Sequence, residues 1–149
     1  MIQKPVEWSA HSLGVANYMR EHAEERGLSP DDMFICGLLH DVGDVYGEYG
    51  NESIGALMLA HVGMKSSIVS AIRLHSLSGY KVEELYGINA VTPEYKLLLE
   101  ANMRVDNRGN RVTYEERLEK LLFLYGKEHE VYRTCYDLCM YLKELEKEQ

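Results

Sequence analysis

No apolar run in this chain approaches the roughly 18 residues that a membrane-crossing helix needs. The opening residues, MIQKPVEW, are too short and mixed for a secretory leader. Cysteine is scarce and odd in number, three in all. Cys135 and Cys139 lie on one helical face, and no Cys/His cluster has zinc-site spacing, so a reduced cytoplasmic protein is expected. Positive charge is also in short supply. Sixteen basic residues against twenty-four acidic ones leave a net charge of −8, which argues against a general nucleic-acid binder or an anionic-membrane binder. An acidic protein that handles phosphate would need local positive charge, from arginines or from a metal. A P-loop or other Gly-rich nucleotide fingerprint is missing as well.

What is present is ordinary globular material. Hydrophobic residues make up 46% and charged residues 27%, so disorder is not expected, and 149 residues suffice for one domain with one sizeable core. The chain reads as helix nearly throughout. His11, Val15, Met19 and Ala23 recur at four-residue steps in a first helix running from Val6 to about Gly27. In SPDDMFICGLLHD, Ser29 can cap a helix, Pro30 suits its first position, and Asp31 and Asp32 suit its positive end. This second helix is apolar nearly all round, hence expected to be central, and Gly43 is expected to end it, leaving His40 and Asp41 in its last turn. A third helix carries Ile54, Leu57, Met58 and His61. A fourth, capped by Ser66, carries Ile68, Ala71, Ile72 and His75. After a loop with Gly and Tyr, Thr92-Pro93 opens a fifth with Tyr95, Leu98, Leu99, Asn102 and Val105 inward, and DNRGNR is a turn. Thr113 with Glu116 is a capping box for a sixth, with Leu118, Leu121, Leu122 and Tyr125 on its face. The last, from about Glu128, carries Val131, Cys135, Leu138, Leu142 and Leu145. With no strand pair, repeat or linker, the expected fold is all-α, a compact single-domain bundle of about seven helices.

His11, His40 with Asp41, His75 and Asn102 all fall on otherwise apolar stripes. A buried polar group left unsatisfied costs about 1–3 kcal/mol. One inward histidine is usually a satisfied core residue, but so many from separate helices point to a single polar site, with a divalent metal as the economical partner of His and Asp together. Adjacent residues on a helix point about 100° apart. His40 and Asp41 can therefore share an ion only near a helix end, with His11 as a third ligand.

The run HSLGVANYMREHAEERGLSPDDMFICGLLHDVGD resembles the opening of an HD-domain protein, the family of metal-dependent phosphohydrolases. NESIGALMLAHVGMKSSIVSAIRLHS and LLLEANMRVDNRGNRVTYEERLEKL resemble its middle and its closing helix, so the likeness spans roughly residues 8–126 within a single domain of 1–149, with the C-terminal helix, about 128–147, packing on it. The resemblance implies His11, His40 and Asp41 as metal ligands, and Asn102 at the fourth position, where the family has the aspartate of an Ala-Asp pair. Asparagine offers a carbonyl oxygen without the negative charge, which lowers the expected affinity. Asp106, one helical turn on, is either a substitute reaching the ion or substrate directly or through water, or a turn aspartate. Asn51 stands where many relatives have a histidine that helps bind a second metal or the phosphate, and it also suits a helix N-cap; a binuclear site is not expected. His75 is either a phosphate donor or a core histidine. Asp44, completing HDVGD, is either an acid assisting the reaction or a loop aspartate. Arg104, Arg108 and Arg111 are either solvated turn charges or a basic patch from which one residue steers a phosphate. His22, His61 and His129 receive no role.

In the mechanism that the resemblance implies, one divalent ion (Mn, Fe, Co, Ni, Zn or Mg) lowers the pKa of a bound water, which attacks phosphorus. Asp44 would assist departure of the leaving group. The expected partner is a small phosphorylated substrate, such as a nucleotide, a dinucleoside polyphosphate or another phosphoester. The competing expectation is a catalytically retired HD fold that binds or regulates, with weak or no metal. The Tyr-rich C-terminal helix offers a surface for a homodimer.

Overall fold

Short-range capping chemistry sets where most helices begin. A computed structural model describes the backbone of residues 5–42 and 51–148, and side chains from residues 10–42 and 55–148. Among the described residues there are eight α-helices: α1 (Pro5–His22), α2 (Pro30–Leu39), α3 (Asn51–His61), α4 (Ser66–Leu74), α5 (Gly79–Tyr86), α6 (Pro93–Met103), α7 (Tyr114–Tyr125) and α8 (Glu130–Lys147). The Ser29, Thr92 and Thr113 side chains accept from the backbone N–H of Asp32, Tyr95 and Glu116, and Glu116 returns the bond, completing the capping box. No strand occurs among the described residues. The only extended pairing there is a single antiparallel bridge between Val105 and Arg111, which closes the turn that the composition of DNRGNR predicts.

Several expectations need correction. The expected first helix breaks after His22; a 3₁₀ turn at Glu24–Arg26 follows, and Gly27 closes it at φ 71°. The loop after α4 contains α5, capped by Ser78 and anchored by the buried Val82. Its opening Gly-Tyr reads as loop by composition. Ser66 is the first helical residue of α4, with Lys65 at the cap position and no side-chain cap bond. On α3 the buried positions include Gly55, Ala56 and Leu59, while Leu57 is 73% exposed and His61 is exposed. On α7 the buried face is Tyr114, Arg117, Leu118 and Leu121, and Leu122 and Tyr125 turn outward. Val131 is exposed at the start of the α8 stripe, and Leu138, Cys139, Tyr141 and Leu142 form its buried part.

The central helix is α6, not α2. It packs against α1, α2, α4 and α8, and buries Tyr95, Leu97, Leu98, Leu99, Ala101 and Met103. The continuous apolar run of α2 covers every face, yet only Met33, Cys36 and Gly37 of the helix, with His40 after it, are buried. Ile35 and Leu38 face outward. The three cysteines are unpaired, and burial pushes the Cys36 and Cys139 thiols up to about 12.

Helices α1 and α2 run antiparallel and meet where Gly37 lies on Ala16. A Cβ on Gly37 would stand 2.6 Å from Ala16 Cα and 2.8 Å from its backbone nitrogen. Backbone cannot yield as a flexible side chain can. Gly37→Ala should therefore push the helices apart and cost about 1–3 kcal/mol. Urea denaturation checks this, and an unchanged midpoint would sink the close-approach account.

Candidate metal centre

The Gly37 contact has a chemical consequence one turn away. On α1 the next turn toward the N-terminus presents His11, and beyond α2 the next turn presents His40, so their imidazole centroids lie 5.4 Å apart. His75, at the C-cap of α4, brings a third ring to 5.4 Å from that of His40. All three rings are nearly inaccessible to solvent. Helix α2 ends at Leu39, with His40 as its C-cap and Asp41 in the following turn. The pair thus lies just beyond the last helical residue rather than in the last turn, with His40 still at right-handed helical angles (φ −61°, ψ −29°).

Each imidazole is oriented by a backbone carbonyl. Nδ1–H of His11 donates to Asp106 O (3.0 Å), that of His40 to Gly37 O (2.6 Å) and that of His75 to Ile72 O (2.5 Å). This arrangement reserves every Nε2 for the centre of the site. His40 Nε2 lies 3.0 Å from Asp41 Oδ2, His75 Nε2 lies 3.5 Å from Asp41 Oδ1, and His11 Nε2 lies 2.8 Å from Asn102 Oδ1. Nitrogen lone pairs facing oxygen lone pairs need a proton or a cation between them. Burial, with the His40 imidazole adding to it, pushes the His11 pKa down and outweighs the carboxylate of Asp41, favouring a neutral ring. Burial acts to raise Asp41, but the His40 ring and hydrogen bonds from His40 and His75 hold it well below the usual carboxylate range. Neutral imidazole and ionised carboxylate are the forms that ligate metals. Ligand atoms of His11, His40 and Asp41 lie within 4.8 Å of one another, so the donor set fits one divalent cation.

The other expected site residues distribute as follows. Asn102, on α6, joins the cluster through its amide oxygen. Asp106 serves it through the backbone: its carbonyl orients His11, while its carboxylate accepts the N–H groups of Arg108 and Asn110, both at 2.9 Å, and so shapes the turn. The turn reading therefore replaces the carboxylate-ligand one. Arg104 is directed toward α8 and α7, 3.5 Å from Glu146 and over the ring of Tyr114, because that pocket offers it both an acid and an aromatic face. Arg108 is exposed, and Arg111 pairs with Glu21. Asp44, Gly43 and the side chain of Asn51 lie outside the described residues. Sequence reasoning overlooked Arg117, which is buried beside the turn and whose charge acts on both His11 and Asp41. Its signal was present in the spacing, since Tyr114, Arg117, Leu118 and Leu121 share one helical stripe.

The turn that orients His11 is seated by close packing. Gly109 has φ 84°, and a Cβ there would approach Ala10 O to 2.5 Å. Gly109→Ala should displace the Asp106 carbonyl and weaken metal binding about tenfold without removing a ligand, the scale of losses when a ligand's supporting bond is disturbed. A competitive metal titration checks this, and wild-type affinity would refute it.

No helix among the described residues is long and apolar enough to cross a membrane. No curated protein and no solved structure matches the chain. A family model described as HD domain matches residues 8–121. The histidine of α1, the His-Asp pair closing α2 and the polar residue of α6 stand together within that span. The chain belongs to the HD-domain family, a superfamily of metal-dependent hydrolases whose members bind divalent metals.

Proposed function

We propose that the protein is a metal-dependent phosphohydrolase acting on a nucleotide or another small phosphoester. The observation that carries this reading is the convergence of His11, His40 and His75 Nε2 on Asp41 and Asn102, each ring tied at Nδ1 to a carbonyl. Side chains held in this way need no reordering when charge develops, which is how preorganised sites lower barriers. When bound, a divalent ion supplies a water of lowered pKa and polarises the phosphoryl group. His11, His40, Asp41 and Asn102 hold the ion. His75 keeps Nε2 beside Asp41 and is positioned to take or return a proton there. Asp44 is proposed as the acid that protonates the leaving oxygen, and Asn51 as a contact to substrate.

A second reading, a retired HD fold that binds without catalysis, is favoured by one observation: the α6 ligand position holds Asn102, which sets a neutral amide oxygen 2.8 Å from His11 Nε2 and brings no negative charge to the site. The deciding experiment loads wild-type protein with manganese or cobalt and measures phosphate release across nucleotides and small phosphoesters. Turnover that requires the metal supports the enzyme. Metal bound without turnover on any substrate supports the binding protein, and absence of metal binding refutes the metal centre.

A further inference from the structure

Arg117 is the buried cation that the mechanism above does not use. Its side chain projects from α7 and is 7% exposed, an unusual place for a guanidinium unless an acid accompanies it. The half-buried arginines of this protein have such partners. Arg26 lies 2.9 Å from Glu100, and Arg104 lies 3.5 Å from Glu146. Arg117 pairs with no acid among the described residues. Its Nη1 donates to the neutral amide oxygen of Asn107 at 3.3 Å, and its Nε finds no acceptor there. Asn107 follows Asp106, whose carbonyl orients His11, so the guanidinium is one residue removed from the bond that orients a metal ligand. The titratable groups that act on it are the Cys135 and Cys139 thiols and the carboxylates of Asp106 and Asp41. Burial pushes the guanidinium pKa down, so what surrounds it leaves its desolvation uncompensated.

A buried guanidinium beside a metal centre, with its Nε unspent and no acid among the described residues in ion-pair contact with it, is complementary to an anion that arrives from outside. Resting on the phosphohydrolase reading, we infer that Arg117 is an anion-receiving residue of this site, its guanidinium taking an oxygen of the substrate's phosphate group. The class of ligand is a tetrahedral oxyanion bearing at least two free oxygens, and inorganic phosphate, the product, is its simplest member. The exposed Arg108, and Arg104 and Arg111 with their acidic partners, are not required for it.

The test measures two affinities on the full chain by calorimetry, that of Mn²⁺ and that of inorganic phosphate, the latter with and without Mn²⁺. Arg117→Met should bind Mn²⁺ within a few-fold of wild type and phosphate about ten- to a hundredfold more weakly, the usual cost of losing a charged hydrogen-bond partner. Arg117→Lys should fall between the two, keeping the charge but losing the two-pronged fork. Wild-type phosphate affinity in either variant overturns the inference and leaves the proposed function standing. A parallel fall of Mn²⁺ and phosphate affinity also overturns it, because Arg117 would then merely prop the Asn107 turn. If Arg117→Met does not fold, Arg117→Lys decides by the same criteria. Asn107→Ala, which spares the guanidinium, should keep phosphate affinity, and a loss there again marks propping. If wild type binds no Mn²⁺, the phosphohydrolase reading falls. The metal-free phosphate comparison then judges Arg117 alone: a deficit in the variant supports it, and equal or absent binding in both proteins overturns it.

Discussion

His40→Ala combined with Asp41→Ala should reduce metal-dependent phosphate release to background and abolish the thermal stabilisation that metal confers. The two side chains supply one Nε2 and both carboxylate oxygens of the cluster, with Asp41 bridging His40 at 3.0 Å and His75 at 3.5 Å. Without them only His11 and the neutral amide of Asn102 remain in contact, two ligands with no negative charge. A ligand that binds only the folded state stabilises it by about 2.7 kcal/mol at a concentration 100 times its Kd. For a chain of this length that corresponds to a rise of about 5–10 °C in melting temperature. Wild type should show this rise with manganese or cobalt, and the double variant should show none. A double variant that is still stabilised by metal would place the ion elsewhere. Because the melting shift is read without substrate, it tests the metal centre separately from the chemistry.

Asn102→Asp should tighten metal binding by about ten- to a hundredfold. The amide oxygen already stands 2.8 Å from His11 Nε2, so the isosteric carboxylate introduces a negative charge without a change of shape. Two unit charges a few ångströms apart near a protein surface interact by about 4 kcal/mol. Desolvating the new carboxylate offsets part of that gain. The metal-free protein should respond in the opposite sense, since a second carboxylate in the cluster that holds Asp41 adds like-charge repulsion. Asn102→Asp is therefore expected to melt lower than wild type without metal and higher with it. Equal Mn²⁺ affinities in the two proteins would show that Asn102 lies outside the coordination sphere. Turnover that appears only in the Asn102→Asp variant would establish the retired-enzyme reading for the natural sequence.

The site's ligand order was readable in the chain because each member is tied to a local feature. His11 lies on the repeating apolar stripe of α1, and His40-Asp41 lies where an apolar run stops. Asn102 lies on the inward face of α6. Asp106 was not readable in the same way, for a physical reason. Sequence spacing speaks of side chains, and this residue contributes its main-chain carbonyl, delivered by a turn whose seat on α1 depends on Gly109 and Gly14.

What the sequence by itself determined is the set of interactions closed within a few residues. These are the caps at Ser29, Thr92 and Thr113 and the all-α character of the chain. What only the tertiary structure decided is which surfaces of those helices find neighbours. The run of α2 is apolar on every side and α6 carries Glu94, Lys96 and Glu100, yet it is α6 that is enclosed, because burial depends on where the other helices cross and not on a helix's own composition. The same rule turns Leu122 outward and Arg117 inward on α7: a helix has one buried face, and the phase of that face is chosen by its partners.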